Sequence, residues 1–139
     1  MKGPPSAPTP SPFTPLTGSD TMQVSVAHRP PNTAVLTLRG SLDIDTAPAL
    51  RANLRRLVER PAPHVVVDVA GLDFVDSMGI GVLVTGHSRA MEHNGWVRLA
   101  GPSSFLRRLL DTLGLGEHLE LYPDVDAAIA GAGTGTAQA

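Results

Sequence analysis

The stretch Phe74-Val75-Asp76-Ser77-Met78-Gly79-Ile80-Gly81 decides how this sequence is interpreted. It joins a β-branched run, His64–Val69 (HVVVDV), to an apolar segment with helical spacing, and so predicts a junction between a strand and a helix. Ser77 stands where a helix cap is favoured. Each of the two glycines that follow weakens a helix by about 1 kcal/mol relative to alanine, which suggests a close approach to the backbone. Ser77 is therefore either a simple helix cap or a functional residue.

Strands and helices alternate on both sides of this junction. The predicted strands are Met22–His28, Ala34–Arg39, His64–Val69, Trp96–Ala100 and His118–Tyr122, and Ala70–Phe74 is predicted to be a turn. The predicted helices begin at the N-cap Thr46, at Ser77, after Ser103 or Ser104, and near Val125. The order β-β-α-β-α-β-α-β-α predicts a single α/β domain. Its N-terminal β-hairpin leads into a mostly parallel mixed sheet flanked by about four helices.

The two ends of the 139-residue chain differ in composition from its centre. Residues 1–20 hold six of the thirteen prolines and few apolar side chains, and residues 131–139 are all small or polar. Neither segment can bury enough surface to offset the entropy of ordering, so we predict disorder in both. The domain itself is expected to span residues 22–130, a common size for one hydrophobic core.

Composition excludes several classes of function. The net charge of −2 does not favour a protein that coats nucleic acid or binds anionic membranes. The absence of cysteine excludes disulfides, thiol catalysis and cysteine-ligated zinc, and is compatible with a reducing cytoplasm. The N-terminus shows prolines in place of an apolar signal region, and no stretch reaches the length of a membrane span. We predict a cytoplasmic protein.

Motifs for catalysis, cofactors and metals are incomplete. A nucleophile elbow needs glycine at position 75, which is Val75, and a dinucleotide fingerprint needs glycine at position 84, which is Val84. The lysine of a phosphate-binding P-loop is missing. His87 is not spaced from Glu92 or His93 as a pair of metal ligands on one helix would be. The sequence therefore predicts no enzyme, no cofactor and no metal site.

Three separate segments resemble the anti-sigma factor antagonists, bacterial members of the STAS domain family. The resemblance covers roughly residues 22–130, in matching order and spacing. The segments are Leu36–Asp43 with Thr46-Ala47, then Val65–Val69 with Gly71-Leu72 and the D-S-x-G-x-G-x-L motif of Asp76–Leu83, and finally Leu99–Gly101 with Leu109 and Leu113–Leu115. The chain departs from the family pattern at Ser41, where acidic residues are frequent, and at Met78, where small residues are common.

The resemblance implies a partner-switching cycle in transcription regulation, of the kind that serves stress response, sporulation or development. The unphosphorylated antagonist would bind an anti-sigma factor that is also a serine kinase, and so release the sigma factor. The kinase would phosphorylate Ser77, and a PP2C-type phosphatase would restore it. Asp43 and Asp76 would lie near the kinase-facing surface, and Gly79 and Gly81 would let the partner approach. Met78, the departure from the pattern, is either an extra apolar anchor for the partner or a side chain packed under the turn. The free protein is expected to be a monomer.

Charge suggests how such a switch would work. A phosphate on Ser77 adds roughly −1.5 to −2 charges beside Asp76. The positive end of the helix dipole tolerates an anion there, whereas an acidic or apolar partner surface rejects it. We therefore expect the switch to disrupt the interface without unfolding the domain. An alternative is a STAS scaffold or adaptor subunit of a larger signalling or membrane-associated complex, without a phosphorylation cycle.

Overall fold

A computed structural model describes residues 14–15 and 22–131 of the chain. The strands are β1 (Thr14–Pro15), β2 (Met22–Arg29), β3 (Thr33–Leu42), β4 (His64–Val75), β5 (Trp96–Ala100) and β6 (Glu120–Tyr122). The helices are α1 (Ala47–Val58), α2 (Ser77–Glu92), α3 (Ser104–Thr112) and α4 (Val125–Ala130). These elements follow one another in the order that the sequence predicts, with β1 in addition.

The strands form one mixed sheet in sequence order, β1 to β6. β2 pairs antiparallel with β3, and β3 to β6 pair parallel to one another. The predicted α/β fold, with a hairpin leading into a mostly parallel sheet, is confirmed. Thr14 and Pro15 pair with β2 and so differ from the expected disorder of residues 1–20. The other residues of that segment, and residues 132–139, lie outside the described part of the chain.

The central strand β4 is longer than the sequence predicts. The expected turn over Ala70–Phe74 is wrong, because β4 continues through it to Val75. The extension pairs with the end of β3, which passes Gly40 instead of stopping there. Gly40 has a positive φ of 102°, and the register shifts beside it mark irregularities of the β-bulge type. β3 therefore continues past the glycine with a local irregularity in its pairing.

The core has two layers because neighbouring strand residues point to opposite faces of the sheet. The larger cluster combines Leu36 and Leu99 of the sheet with residues of α1, α2 and α3. The smaller cluster contains Val35, Ala100 and Tyr122, covered by α4. Because the parallel strands follow in sequence order, connections of one hand put all three crossover helices on the same face.

An arginine holds α4 against the opposite face. Arg98 donates from Nη1 to the carbonyl of Ala128 at 3.0 Å and from Nε to Glu120 at 2.9 Å. Its guanidinium lies 3.7 Å from the ring centre of Trp96, in a cation–π arrangement. The hydroxyl of Tyr122 donates to the same Glu120 oxygen at 2.8 Å. These contacts fix the short final helix, although it buries few apolar side chains of its own.

A histidine side chain accepts a backbone hydrogen bond at the beginning of β5, where the strand has no partner on one side. The backbone N–H of Val97 donates to Nδ1 of His87 at 3.0 Å, since the pairing of β5 with β6 starts only at Arg98. Burial lowers the pKa of His87. Protonation of Nδ1 would also remove its capacity to accept this hydrogen bond. Both effects favour neutral His87 in the folded protein.

We predict that His87 makes stability depend on pH. Because its pKa is lower folded than unfolded, the unfolded chain binds more protons once the pH falls below about 6.5, the ordinary value. Stability is therefore full above that pH and decreases as the pH falls. His87→Gln, which can still accept from Val97 but does not titrate, should show a smaller fall in Tm between pH 7.5 and 5. Equal falls in both proteins would contradict the prediction.

Candidate functional site

The candidate site lies at the edge of the sheet where β3 and β4 end. Leu42 pairs with Val75, and the N–H of Asp76 then donates to the carbonyl of Leu42 at 3.0 Å. The loop of residues 43–46 and the first turn of α2 both begin at this edge. In open α/β sheets, the carboxyl ends of parallel strands are the usual place for binding sites. The D-S motif occupies such a position.

Asp76, not Ser77, caps α2. Its Oδ1 accepts the N–H groups of Met78 at 3.0 Å and of Gly79 at 3.2 Å. The prediction of Ser77 at the N-cap is therefore off by one residue, because the shorter-reaching serine gives way to an extended aspartate that bonds two free donors at once. Ser77 is the first residue of the helix and its side chain is exposed. This placement removes the cap interpretation of Ser77.

Asp43 organises the loop before α1. Its Oδ1 accepts the N–H groups of Asp45 at 3.0 Å and Thr46 at 3.1 Å. Thr46 has no capping bond to the helix; its buried hydroxyl accepts from the N–H of Asp43 and donates to the carbonyl of Ser41. The sequence predicts the N-cap position correctly and the capping side chain wrongly. Asp43 and Asp76 thus both bind their own backbone.

The two glycines of the motif have different surroundings. A methyl group at Gly79 would collide with Cγ of Leu42 and lie 2.7 Å from its Cδ2. Gly79 is buried, so the close approach that it permits is that of its own chain, which corrects the reason expected from the sequence. A methyl group at Gly81 would meet no atom within 4 Å, and Gly81 is exposed. Of the two glycines, Gly81 is the one whose backbone is accessible to a partner.

Two exposed apolar side chains lie at the same edge of the sheet as Ser77. Met78 is 47% exposed in the first turn of α2, and Ile44 is 62% exposed in the loop before α1. Phe74 is also exposed, but it alternates with buried Val75 and so points to the other face of the sheet. We call Ile44, Ser77, Met78 and Gly81 the Ser77 surface. Sequence reasoning missed Ile44, although a large apolar residue between two aspartates in a loop is itself a signal of exposure.

The chemistry available to this surface is limited. Among the described residues, the Ser77 hydroxyl has no hydrogen-bond partner, so nothing prepares it as a nucleophile. Within the same residues, no group of three His, Cys, Asp or Glu side chains could hold a metal ion. Nor does that part of the chain contain a helix long and apolar enough to cross a membrane. What the site presents is an accessible hydroxyl at the same edge of the sheet as two exposed apolar side chains.

The chain is similar to known proteins in both sequence and structure. The family model of the STAS domain matches residues 24–128. The anti-sigma F factor antagonist of Paenibacillus polymyxa is 26% identical over 102 residues, which cover 73% of this chain and 86% of that protein. The crystal structure of an anti-sigma factor antagonist from Mycobacterium paratuberculosis is 28% identical, with a TM-score of 0.68 over 83% of this chain and 97% of the other.

The same fold occurs in a different setting. The murine anion transporter Solute Carrier 26 family member A9 matches with a TM-score of 0.63 at 17% identity. The match covers 74% of this chain but 18% of the transporter. At that identity the likeness concerns the fold alone, so function has to be argued from the site.

We predict opposite effects of alanine at the two glycines. Gly79→Ala should destabilise the protein by roughly 1–3 kcal/mol, because the new methyl group overpacks against Leu42. Gly81→Ala meets open space and should be neutral or more stable by up to about 1 kcal/mol, because alanine favours the helix. Urea unfolding measures both. Equal stability of the two variants would refute the packing role of Gly79.

Proposed function

Because the chain belongs to the STAS domain family, we propose that it is an anti-sigma factor antagonist that is switched off by phosphorylation of Ser77. In its unphosphorylated form it binds an anti-sigma factor with serine kinase activity and releases the sigma factor. A PP2C-type phosphatase reverses the modification. The protein acts as a cytoplasmic binding module, not as an enzyme, and is a monomer when free. The relatives of this chain are themselves named antagonists of anti-sigma factors.

The observation that carries the proposal is the position of Ser77. A kinase must bring a hydroxyl into its own active site, which requires an exposed residue that makes no bonds within its protein. Ser77 is exposed, and within the described residues its hydroxyl contacts no partner. Asp76 performs the capping, so modification of Ser77 leaves both capping bonds of α2 in place. The residue can be modified without loss of structure.

The Ser77 surface suits a partner that covers it. Met78 and Ile44 offer apolar contact area, and exposed Gly81 lets a partner atom come close to the helix backbone. Binding removes water from Ser77. A phosphate at its oxygen would then be desolvated against apolar groups, which costs several kcal/mol unless the partner supplies counter-charges. The modification therefore opposes the complex directly. Gly79, Asp43 and Asp76 contribute by positioning this surface.

A phosphate on Ser77 is not expected to unfold the domain. The N-terminus of α2 favours negative charge by about 0.3–1 kcal/mol at exposed positions. Oδ1 of Asp76 already accepts the N–H groups of Met78 and Gly79, so these donors are not free for the phosphate. The phosphate is therefore stabilised by the helix dipole alone and is repelled by the carboxylate of Asp76. The favourable and unfavourable contributions are of similar size. We expect the fold to persist in both states of the switch.

The site assignment is tested by phosphorylation with labelled ATP and an anti-sigma factor serine kinase from the same cell. Ser77→Ala should abolish incorporation. Ser88→Ala is the matched control, since Ser88 is an exposed serine on the same helix, and it should be labelled like the original protein. Label that persists in the Ser77 variant, or is lost only in the Ser88 variant, would show that another residue is modified.

The mechanism is tested by separating affinity from stability. Ser77→Asp should weaken binding of this protein to the anti-sigma factor at least tenfold. The free energy of unfolding should change by less than about 1 kcal/mol. Calorimetric titration and urea unfolding measure the two quantities. If affinity is retained, the charge mechanism is wrong. If affinity and stability fall together, the switch acts by unfolding. A stable higher assembly without any phosphorylation would favour the scaffold alternative.

A further inference from the structure

One exposed aromatic side chain, Phe105, lies outside the Ser77 surface. It is 50% exposed in the first turn of α3. The other large apolar side chains that the described residues expose are Ile44, Phe74, Met78, Met91 and Leu113. Two of these belong to the Ser77 surface, and one points to the opposite face of the sheet. Met91 and Leu113 lie near the far ends of α2 and α3, away from the edge that carries Ser77.

Ser77 lies on the side of α2 that is turned toward α3. A methyl group at Gly86 would lie 3.0 Å from Cδ1 of Leu54, so the side of α2 that carries Gly86 faces α1. Ser77 precedes Gly86 by nine residues. At about 3.6 residues per turn this is about two and a half turns, which puts Ser77 on the opposite side of the helix. Because the crossover helices follow the strand order, the helix on that side is α3.

Phe105 lies on the side of α3 that is turned toward α2. The two helices run in the same direction on the same face, because each connects neighbouring parallel strands. In α2, Val82 faces α1 and immediately precedes Leu83, which is buried. In α3, Phe105 likewise immediately precedes buried Leu106. In helices of one orientation this position faces the preceding helix, which for α3 is α2.

The beginning of α3 is level with the early turns of α2. Nδ1 of His87 accepts the N–H of Val97, which fixes α2 against the beginning of β5. From this contact, Gly81 lies six residues or about 9 Å back along the helix, and Ala100 lies three residues or about 10 Å along the strand. Gly81 is therefore level with the end of β5, from which three residues lead to α3. Phe105 thus lies across from Gly81.

We propose that the anti-sigma factor kinase contacts Phe105 together with the Ser77 surface, so that its docking site spans the first turns of both α2 and α3. This inference rests on the function proposed above. A stable complex buries about 800 Å² on each partner, from roughly 20–30 residues a side, and the four residues of the Ser77 surface are too few. Neighbouring helices of one core lie about 8–10 Å apart, so an interface centred on Ser77 extends to α3.

The ring of Phe105 is suited to such a contact. Oγ of Ser103 accepts the N–H of Leu106 at 3.1 Å and caps α3, so the backbone that carries the ring is held before the partner arrives. An aromatic side chain has two rotatable bonds and loses little entropy when it is covered. Leu109, one turn further along the same side of α3, is half-buried and extends the apolar area. Aromatic residues are enriched in the buried centre of interfaces.

The test compares Phe105→Ala with Met91→Ala, and the probe is the kinase that labels Ser77. In calorimetric titration of the full chain, Phe105→Ala should weaken binding about tenfold. Met91→Ala removes a side chain of similar exposure from the far end of α2 and should bind within about twofold of the original protein. In the phosphorylation assay, Phe105→Ala should raise KM with kcat unchanged, because Phe105 belongs to another helix than the reacting oxygen.

A second variant keeps affinity apart from folding. Phe105→Glu places an acidic residue in the first turn of α3, where the helix dipole favours it, so Tm should be retained while binding falls at least tenfold. Unchanged affinity in either variant, or equal losses in Met91→Ala, would overturn the inference and leave the proposed function standing. A changed mass of free Phe105→Ala in light scattering would assign the ring to contacts between copies instead. An original protein that no such kinase binds or labels would contradict the proposed function itself.

Discussion

The contact between Leu42 and Gly79 is the constraint on which the site depends. It brings the first turn of α2 down onto the end of β3 more closely than any side chain at position 79 would permit. The N–H of Asp76 can then reach the carbonyl of Leu42. With its backbone fixed in this way, Asp76 turns its carboxylate onto the helix and leaves Ser77 outside. Exposure of the serine is thus a result of packing two residues further along the same turn.

Hydrophobic periodicity predicted the strands and helices, because the burial of one or both faces of an element determines the spacing of its apolar residues. It did not predict the extension of β4, since Ala70–Phe74 contains Gly71 and Asp73, two residue types that are typical of a turn. Those residues become a strand because β3 continues beside them past Gly40 and supplies hydrogen-bond partners. Pairing between distant segments is information that a local pattern does not contain.

The site was predicted in part for the same reason. The motif identified Ser77, and the resemblance gave it a role, but the exchange of capping duty with Asp76 depends on backbone angles that residue types do not determine. Ile44 was missed because a local pattern does not show that the loop before α1 and the first turn of α2 begin at the same edge of the sheet.

The use of Asp43 and Asp76 as acceptors for their own backbone has a consequence for information transfer. A regulatory signal is readable when the background is constant and one variable changes. Carboxylates whose direction is set by internal hydrogen bonds present the same charge pattern to every binding partner. A single added phosphate is then the one difference that a partner detects. Asp43 and Asp76 keep a constant charge pattern, and the regulated change is confined to the hydroxyl oxygen of Ser77.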